Sequence, residues 1–167
     1  MFRCLIMSLA ALTVAACSVS AKPEKLSTHP EYVKVESEQD FPATLKALKE
    51  EILSRDMTIF STIDHAMAAG DVDMELTPTT LILFGDPKAG TPLMQQDPTL
   101  AMELPLRMLV QQRGDDVLLI YPDIWKLKGD FELEDVDKRF VKIENLLADI
   151  AMSAAELPEE AEEAELP

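Results

Sequence analysis

Within its first ninety residues the chain changes hydrophobic period three times, and each change marks an element. "EYVKVES" alternates charged and apolar side chains with a period of two, which predicts a first strand over Tyr32 to Ser37. Phe41, Leu45, Leu48 and Ile52 then recur at spacings of four, three and four, as one face of a helix does. Asp40 is placed to cap that helix, Pro42 sits in its first turn where a missing N–H is harmless, and the pattern ends near Asp56. "MTIFSTID" returns to strand chemistry, with Met57, Ile59, Ile63 and His65 expected on one side and Thr58, Phe60, Thr62 and Asp64 on the other. "TTLILFG", Thr79 to Gly85, is an almost wholly apolar strand closed by Gly85, Asp86 and Pro87.

Further on, "DPTLAMELP" fits a short helix capped by Asp97, opened by Pro98 and stopped by Pro105. "LRMLVQQ" and "VLLIYP" flank "RGDD", which predicts a hairpin turning at Gly114. Val136, Phe140, Ile143, Leu147 and Ile150 keep helical spacing to the end of the patterned region. The order strand, helix, about four strands, helix predicts an α+β fold, an antiparallel sheet with helices on one face. "TTLILF" has no polar residue after Thr80, so both of its faces need cover, while two helices suffice for one side of the sheet. Either the short helix and loops close the second face, or a second copy does.

The ends change this picture. "MFRCLIMSLAALTVAAC" carries Arg3, then an apolar run from Leu5 to Ala16 interrupted by Ser8 and Thr13, as a secretory signal peptide does. The run is shorter than the roughly 20 apolar residues a bilayer-spanning helix needs. "VAAC", Val14 to Cys17, resembles a bacterial lipobox, with Cys17 as the acylated first residue of the mature chain and Ser18 after it favouring the outer membrane. "SVSA" offers a competing cleavage before Lys22, giving a soluble periplasmic or secreted product. The expected organisation is a signal peptide over 1–16, a tether over 17–30, one α+β domain over 31–153 and an acidic disordered tail over 154–167. Cleavage at either site leaves at most one cysteine, so no intramolecular disulfide is expected and the fold must stand on its apolar core.

Charge narrows the partners. With 31 Asp and Glu against 15 Lys and Arg, the formal net charge is -16, which repels phosphate backbones and argues against nucleic acid. The expected partners are a membrane, reached through the N-terminal lipid on its periplasmic side, a second copy, and a small ligand.

"IDHAMAAG", "TTLILFGDPKAGTPLMQQDPTLAMELPLRMLVQQ" and "VLLIYPD" together resemble the bacterial domain of unknown function 302 family, over roughly residues 40 to 123. The resemblance is carried by Asp64, His65 and Gly70, by Phe84, Gly85, Pro87 and Gly90, by Thr91 to Met94, and by Leu104 and Pro105. It implies a β-α-β(4)-α fold of the TATA-box-binding-protein-like kind, often a homodimer, and it implies no activity. After "YPD" the chain departs from the family's pattern.

Candidate chemistry centres on His65, whose imidazole moves a proton near neutral pH. Asp64 is a poor orienter for it, because neighbours on a strand point apart. The mature chain holds His29 and His65 as its only histidines, too few for zinc, and no cofactor is expected. "FGDPKAGTP" lacks both phosphate-loop glycine patterns and reads as a tight turn, with Gly85 and Gly90 in backbone angles other residues avoid. Tyr121 and Trp125 read as packing. The candidate binding residues are Asp64, His65, Phe84, Gly85, Pro87 and Gly90, with Cys17 the lipidation site. The function expected is a noncatalytic ligand-binding or interaction module of the cell envelope. The alternative is a small enzyme using His65 as acid/base beside the Gly85 to Gly90 loop.

Overall fold

The alternating strands and the two long amphipathic helices assemble into a single sheet with helices on one side. The computed structural model describes residues 32–127, 131 and 133–157. The expected signal peptide over 1–16, the expected tether over 17–30 with Cys17, and residues 158–167 of the expected tail lie outside the described residues.

Five strands, β1 (Tyr32–Ser37), β2 (Thr58–Asp64), β3 (Thr79–Gly85), β4 (Leu106–Arg113) and β5 (Asp116–Pro122), form one antiparallel sheet in the order β1-β5-β4-β3-β2. Helix α1 (Phe41–Ser54) carries the chain from β1 at one edge to β2 at the other. The β4–β5 hairpin turns at Gly114, whose φ of 60° suits a residue without Cβ. The last helix, α4 (Val136–Ala155), packs against α1.

The core lies between these helices and one face of the sheet. Ile82 and Phe84 of β3, Met108 and Val110 of β4 and Leu119 of β5 are fully buried against Leu48 and Ile52 of α1 and Leu147 and Ile150 of α4. Each such side chain contributes about 1.5–3 kcal/mol by leaving water. Thr44 is buried among them and keeps its hydroxyl satisfied, donating to the Asp40 carbonyl at 2.8 Å and sharing a 2.7 Å hydrogen bond with Ser37 Oγ. The end of α4 is tied to the β1–α1 corner, where Glu38 N–H donates to the Ala155 carbonyl at 2.9 Å. Ala154 and Ala155, the last residues of α4, are buried.

The opposite face carries Leu81 and Leu83 of β3, Leu109 of β4 and Leu118 and Ile120 of β5. All five are half-buried, and none belongs to the core cluster. Charged residues of that face lie at its margins, Lys34 and Glu36 on β1 and Arg107 and Arg113 on β4.

Two expectations need correction. The alternation expected along β2 breaks at a register shift between Ile59 and Ser61. Ile59 pairs with Phe84 on the helix side, whereas Ile63 pairs with Leu81 on the open side, because the extra residue, Phe60, reverses the faces beyond it. Two further helices were not expected: α2 (His65–Gly70) follows β2 directly, and α3 (Pro87–Gln96) occupies the segment read as a tight turn. Gly85 and Gly90 accordingly take ordinary backbone angles.

Candidate functional site

Twenty residues, 86–105, connect β3 to β4, far more than a hairpin needs. Asp86 begins the excursion. Its side chain accepts the Lys88 N–H at 2.8 Å, and its carbonyl accepts Ala89 N–H at 3.0 Å and Gly90 N–H at 2.9 Å. Pro87, with no N–H, takes the first helical position, so every donor of the first turn of α3 is satisfied or absent. Asp97 closes α3 and caps the 3-10 helix Pro98–Met102 by accepting Thr99 N–H at 2.9 Å. The Leu104–Pro105 peptide, which leads into β4, is cis.

This excursion stands off the ends of β2, β3 and β4 and leaves a cavity of about 640 Å³, within the range of small-molecule sites. Met57, Leu83, Leu93, Met94, Leu106 and Leu146 are among its apolar walls, and Phe60 projects its ring there from the β2 bulge. Small residues, Gly85, Ala89, Gly90 and Ala101, keep the space open. Asp86 and Thr91 are the only polar side chains in the lining among the described residues. A second space of about 50 Å³, sharing Leu93, Leu104, Leu106 and Ile143 as walls, has room for little more than water. Its charged neighbours are occupied: Arg107 pairs with Glu103 at 3.1 Å, and Arg139 donates to the Glu134 carbonyl at 3.0 Å.

The predicted site residues divide between two ends of the sheet. Gly85, Pro87 and Gly90 line the cavity. Phe84, the residue before them, points the other way and is fully buried in the core. Asp64 and His65 lie at the far end of β2, since Thr58 pairs with Gly85 while Asp64 pairs with Thr80, and six residues of strand separate the two by roughly 20 Å. The arrangement of His65 beside the Gly85 to Gly90 loop is therefore not assembled. His65 is exposed at the first position of α2. Asp64 is the cap of that helix, accepting Met67 N–H at 2.9 Å.

Tyr121 is buried in the core, where burial, with Glu144 beside it, holds the phenol above its ordinary pKa. Trp125 packs edge-on against Phe140 with ring centroids 5.8 Å apart and donates its indole N–H to Glu144 at 2.7 Å. Among the described residues, no group of three or more His, Cys, Asp or Glu side chains is gathered as a metal site requires.

A five-stranded antiparallel sheet with helices on one face and an apolar cavity at its end defines an α+β domain. The chain belongs to the DUF302 family, a domain of unknown function, whose family model matches residues 33–150. Its fold is similar to that of an uncharacterized conserved DUF302 protein from Bacillus stearothermophilus, at a TM-score of 0.67 and 14% identity over 74% of this chain and 97% of the other. It also resembles the proteins named fluoride-specific ion channel FluC 1 of Brucella suis biovar 1 and of Brucella abortus biovar 1, each 37% identical over 82 residues, or 49% of this chain. The aligned stretch is 32% of the first and 30% of the second, so the chain spans about a third of these curated relatives. Among the described residues, no helix is long and apolar enough to cross a membrane.

Because Asp64 caps α2 and His65 does not, their substitutions separate. Asp64→Ala should cost about 1 kcal/mol, Asp64→Asn much less, and His65→Ala under about 0.5 kcal/mol, read from urea unfolding midpoints.

Proposed function

We propose that this chain is a noncatalytic binding module of the bacterial cell envelope, anchored by lipid on Cys17 and receiving a small, largely apolar ligand in the cavity between α3, the strand ends and α4. The observation that carries the reading is the cavity itself, of ligand size and almost without polar lining. An acid/base mechanism has little to work with there: His65 lies at the other end of the sheet, and the Asp86 carboxylate is committed to capping α3.

Two further observations support the placement. β1 begins at the cavity end of the sheet, where Tyr32 pairs with Pro122, so a tether from Cys17 would bring the cavity end toward the membrane. The Brucella relatives are named as fluoride-specific ion channels, and the reading takes from them only that a stretch like this one occurs within proteins so named.

A thermal-shift screen of the chain exported from a Cys17→Ala variant tests the ligand reading, since a ligand that binds the folded state raises its apparent stability. Ala89 is exposed on α3 and faces the cavity, so Ala89→Trp should fill the space and abolish the shift while the unliganded protein still melts cooperatively. No stabilisation by any apolar compound would overturn the reading. Fractionation tests the anchor: wild type should sediment with membranes and Cys17→Ala should be released. A wild-type protein already free in the periplasm refutes lipidation.

The open face of the sheet supports a second copy as partner. Leu81, Leu83, Leu109, Leu118 and Ile120 form its apolar centre, opposite charges flank them on β1 and β4, and Arg113 Nη1 is buried without a hydrogen-bond partner among the described residues. A symmetric pairing would cover the apolar centre and give that donor an acceptor. Sedimentation at micromolar concentration should show a dimer that Leu109→Asp converts to monomer. A monomer unchanged on a tenfold rise in concentration would return this face to solvent.

A further inference from the structure

We infer that the cavity selects an amphiphile with a positively charged head and excludes one with an anionic head. The inference rests on the cavity being the binding site and specifies what that site takes. Its apolar walls call for an apolar tail, with Met57 and Met94 supplying flexible, polarizable surface that adapts to tails of differing shape. The question left is the sign of charge accepted at the mouth, and three features of the structure answer it.

The first is the lining. Asp86 is its single ionisable residue among the described residues, and no Lys, Arg or His belongs to it. An anionic head would approach this carboxylate with no cation to offset it, whereas a cationic head would find a countercharge.

The second is the state of the α3 N-terminus. A helix beginning at a cavity mouth would ordinarily offer free N–H groups and a positive dipole end to a phosphate or carboxylate. Here Pro87 has no N–H, and the donors of Lys88, Ala89 and Gly90 are all taken by Asp86, at 2.8, 3.0 and 2.9 Å. The Asp86 carboxylate, on Lys88 N–H, and the Asp86 carbonyl, on the other two, already hold the donors an anion would need.

The third is the surroundings. Arg107 and Arg139 line the small adjoining space and are engaged by Glu103 and by the Glu134 carbonyl. Lys88 is exposed on α3 and is not part of the lining. A net charge of -16 adds a long-range field of the same sign as Asp86.

The test uses three single-tailed probes of equal chain length below their micelle concentrations: an alkyltrimethylammonium, an alkyl alcohol and an alkyl sulfate. Calorimetric titration into the exported Cys17→Ala chain should rank them in that order, the cation binding roughly tenfold or more tighter than the anion at low salt and less so at high salt. Asp86→Asn keeps a competent helix cap while removing the charge, so it should bring cation and anion affinities within about threefold of one another. Retained cooperative melting of that variant shows that the wall is intact. Ala89→Trp should weaken all three probes together. If no probe binds wild type, the cavity reading itself fails. If the anion binds as well as the cation, or if Asp86→Asn leaves the ranking unchanged, the charge selection is refuted while the cavity reading stands.

Discussion

Everything in this domain follows from the packing of α1 and α4 against a single face of the sheet. The two helices cover Ile82, Phe84, Met108, Val110 and Leu119, and they meet each other over that surface. Neither reaches the other face, yet β3 is apolar on both, because Leu81 and Leu83 alternate with Thr80, Ile82 and Phe84. A strand of that composition is at home when covered on two sides. The half-buried leucines of the open face are thus the cost of a core built from two helices alone, and it is on them that the proposed pairing with a second copy rests.

The cavity arises from the same economy. α3 lies outside the α1–α4 pair and touches the body mainly through Leu93, its only buried residue. Its sequence, "PKAGTPLMQQ", is poor in strong helix formers and carries Pro92 internally, so the helix leans on its Asp86–Pro87 start, where the Asp86 side chain accepts the Lys88 N–H. Such a wall is held by caps and one anchor rather than by a packed face. Small side chains on its inner surface leave the gap to the strand ends unfilled, and Phe60, the extra residue of the β2 bulge, lines that gap instead of filling the core. Segments with few buried apolar contacts open at low free energy, which suits the proposed entry of a ligand past this wall.

What the sequence revealed tracks the strength of its periodicity. β1, β3, α1, the hairpin at Gly114 and α4 were legible because each repeats its pattern over enough residues to outweigh local noise. The face assignment along β2 failed at one residue, since a bulge reverses alternation without leaving a signature that distinguishes Phe60 from its neighbours. α3 was missed for a different reason. Gly85, Pro87, Gly90 and Pro92 all signal a break, and their weight hid the Asp-Pro start signature that was recognised at Asp97 and Pro98. Most of the cavity lining was consequently out of view: Gly85, Pro87 and Gly90 were found as a loop, but Leu93, Met94, Ile143 and Leu146 come from helices that no local motif connects.

Asp64 and Asp86 show why a motif and a site parted company here. Both are carboxylates at the exit of a strand, both face a helix start, and both accept a backbone N–H in the following turn. An aspartate beside a histidine invites an acid/base reading, but the same aspartate at a strand-to-helix junction has a prior use, because the first turn of any helix leaves N–H donors that must be met. That use fixes Asp64 away from His65 and makes α2 possible in six residues. At Asp86 the same device has a further consequence, since the capped helix borders a cavity, and the proposed preference for a cationic head rests on the carboxylate that accepts the Lys88 N–H. The difference between a structural aspartate and one that shapes recognition lies in what the capped helix encloses.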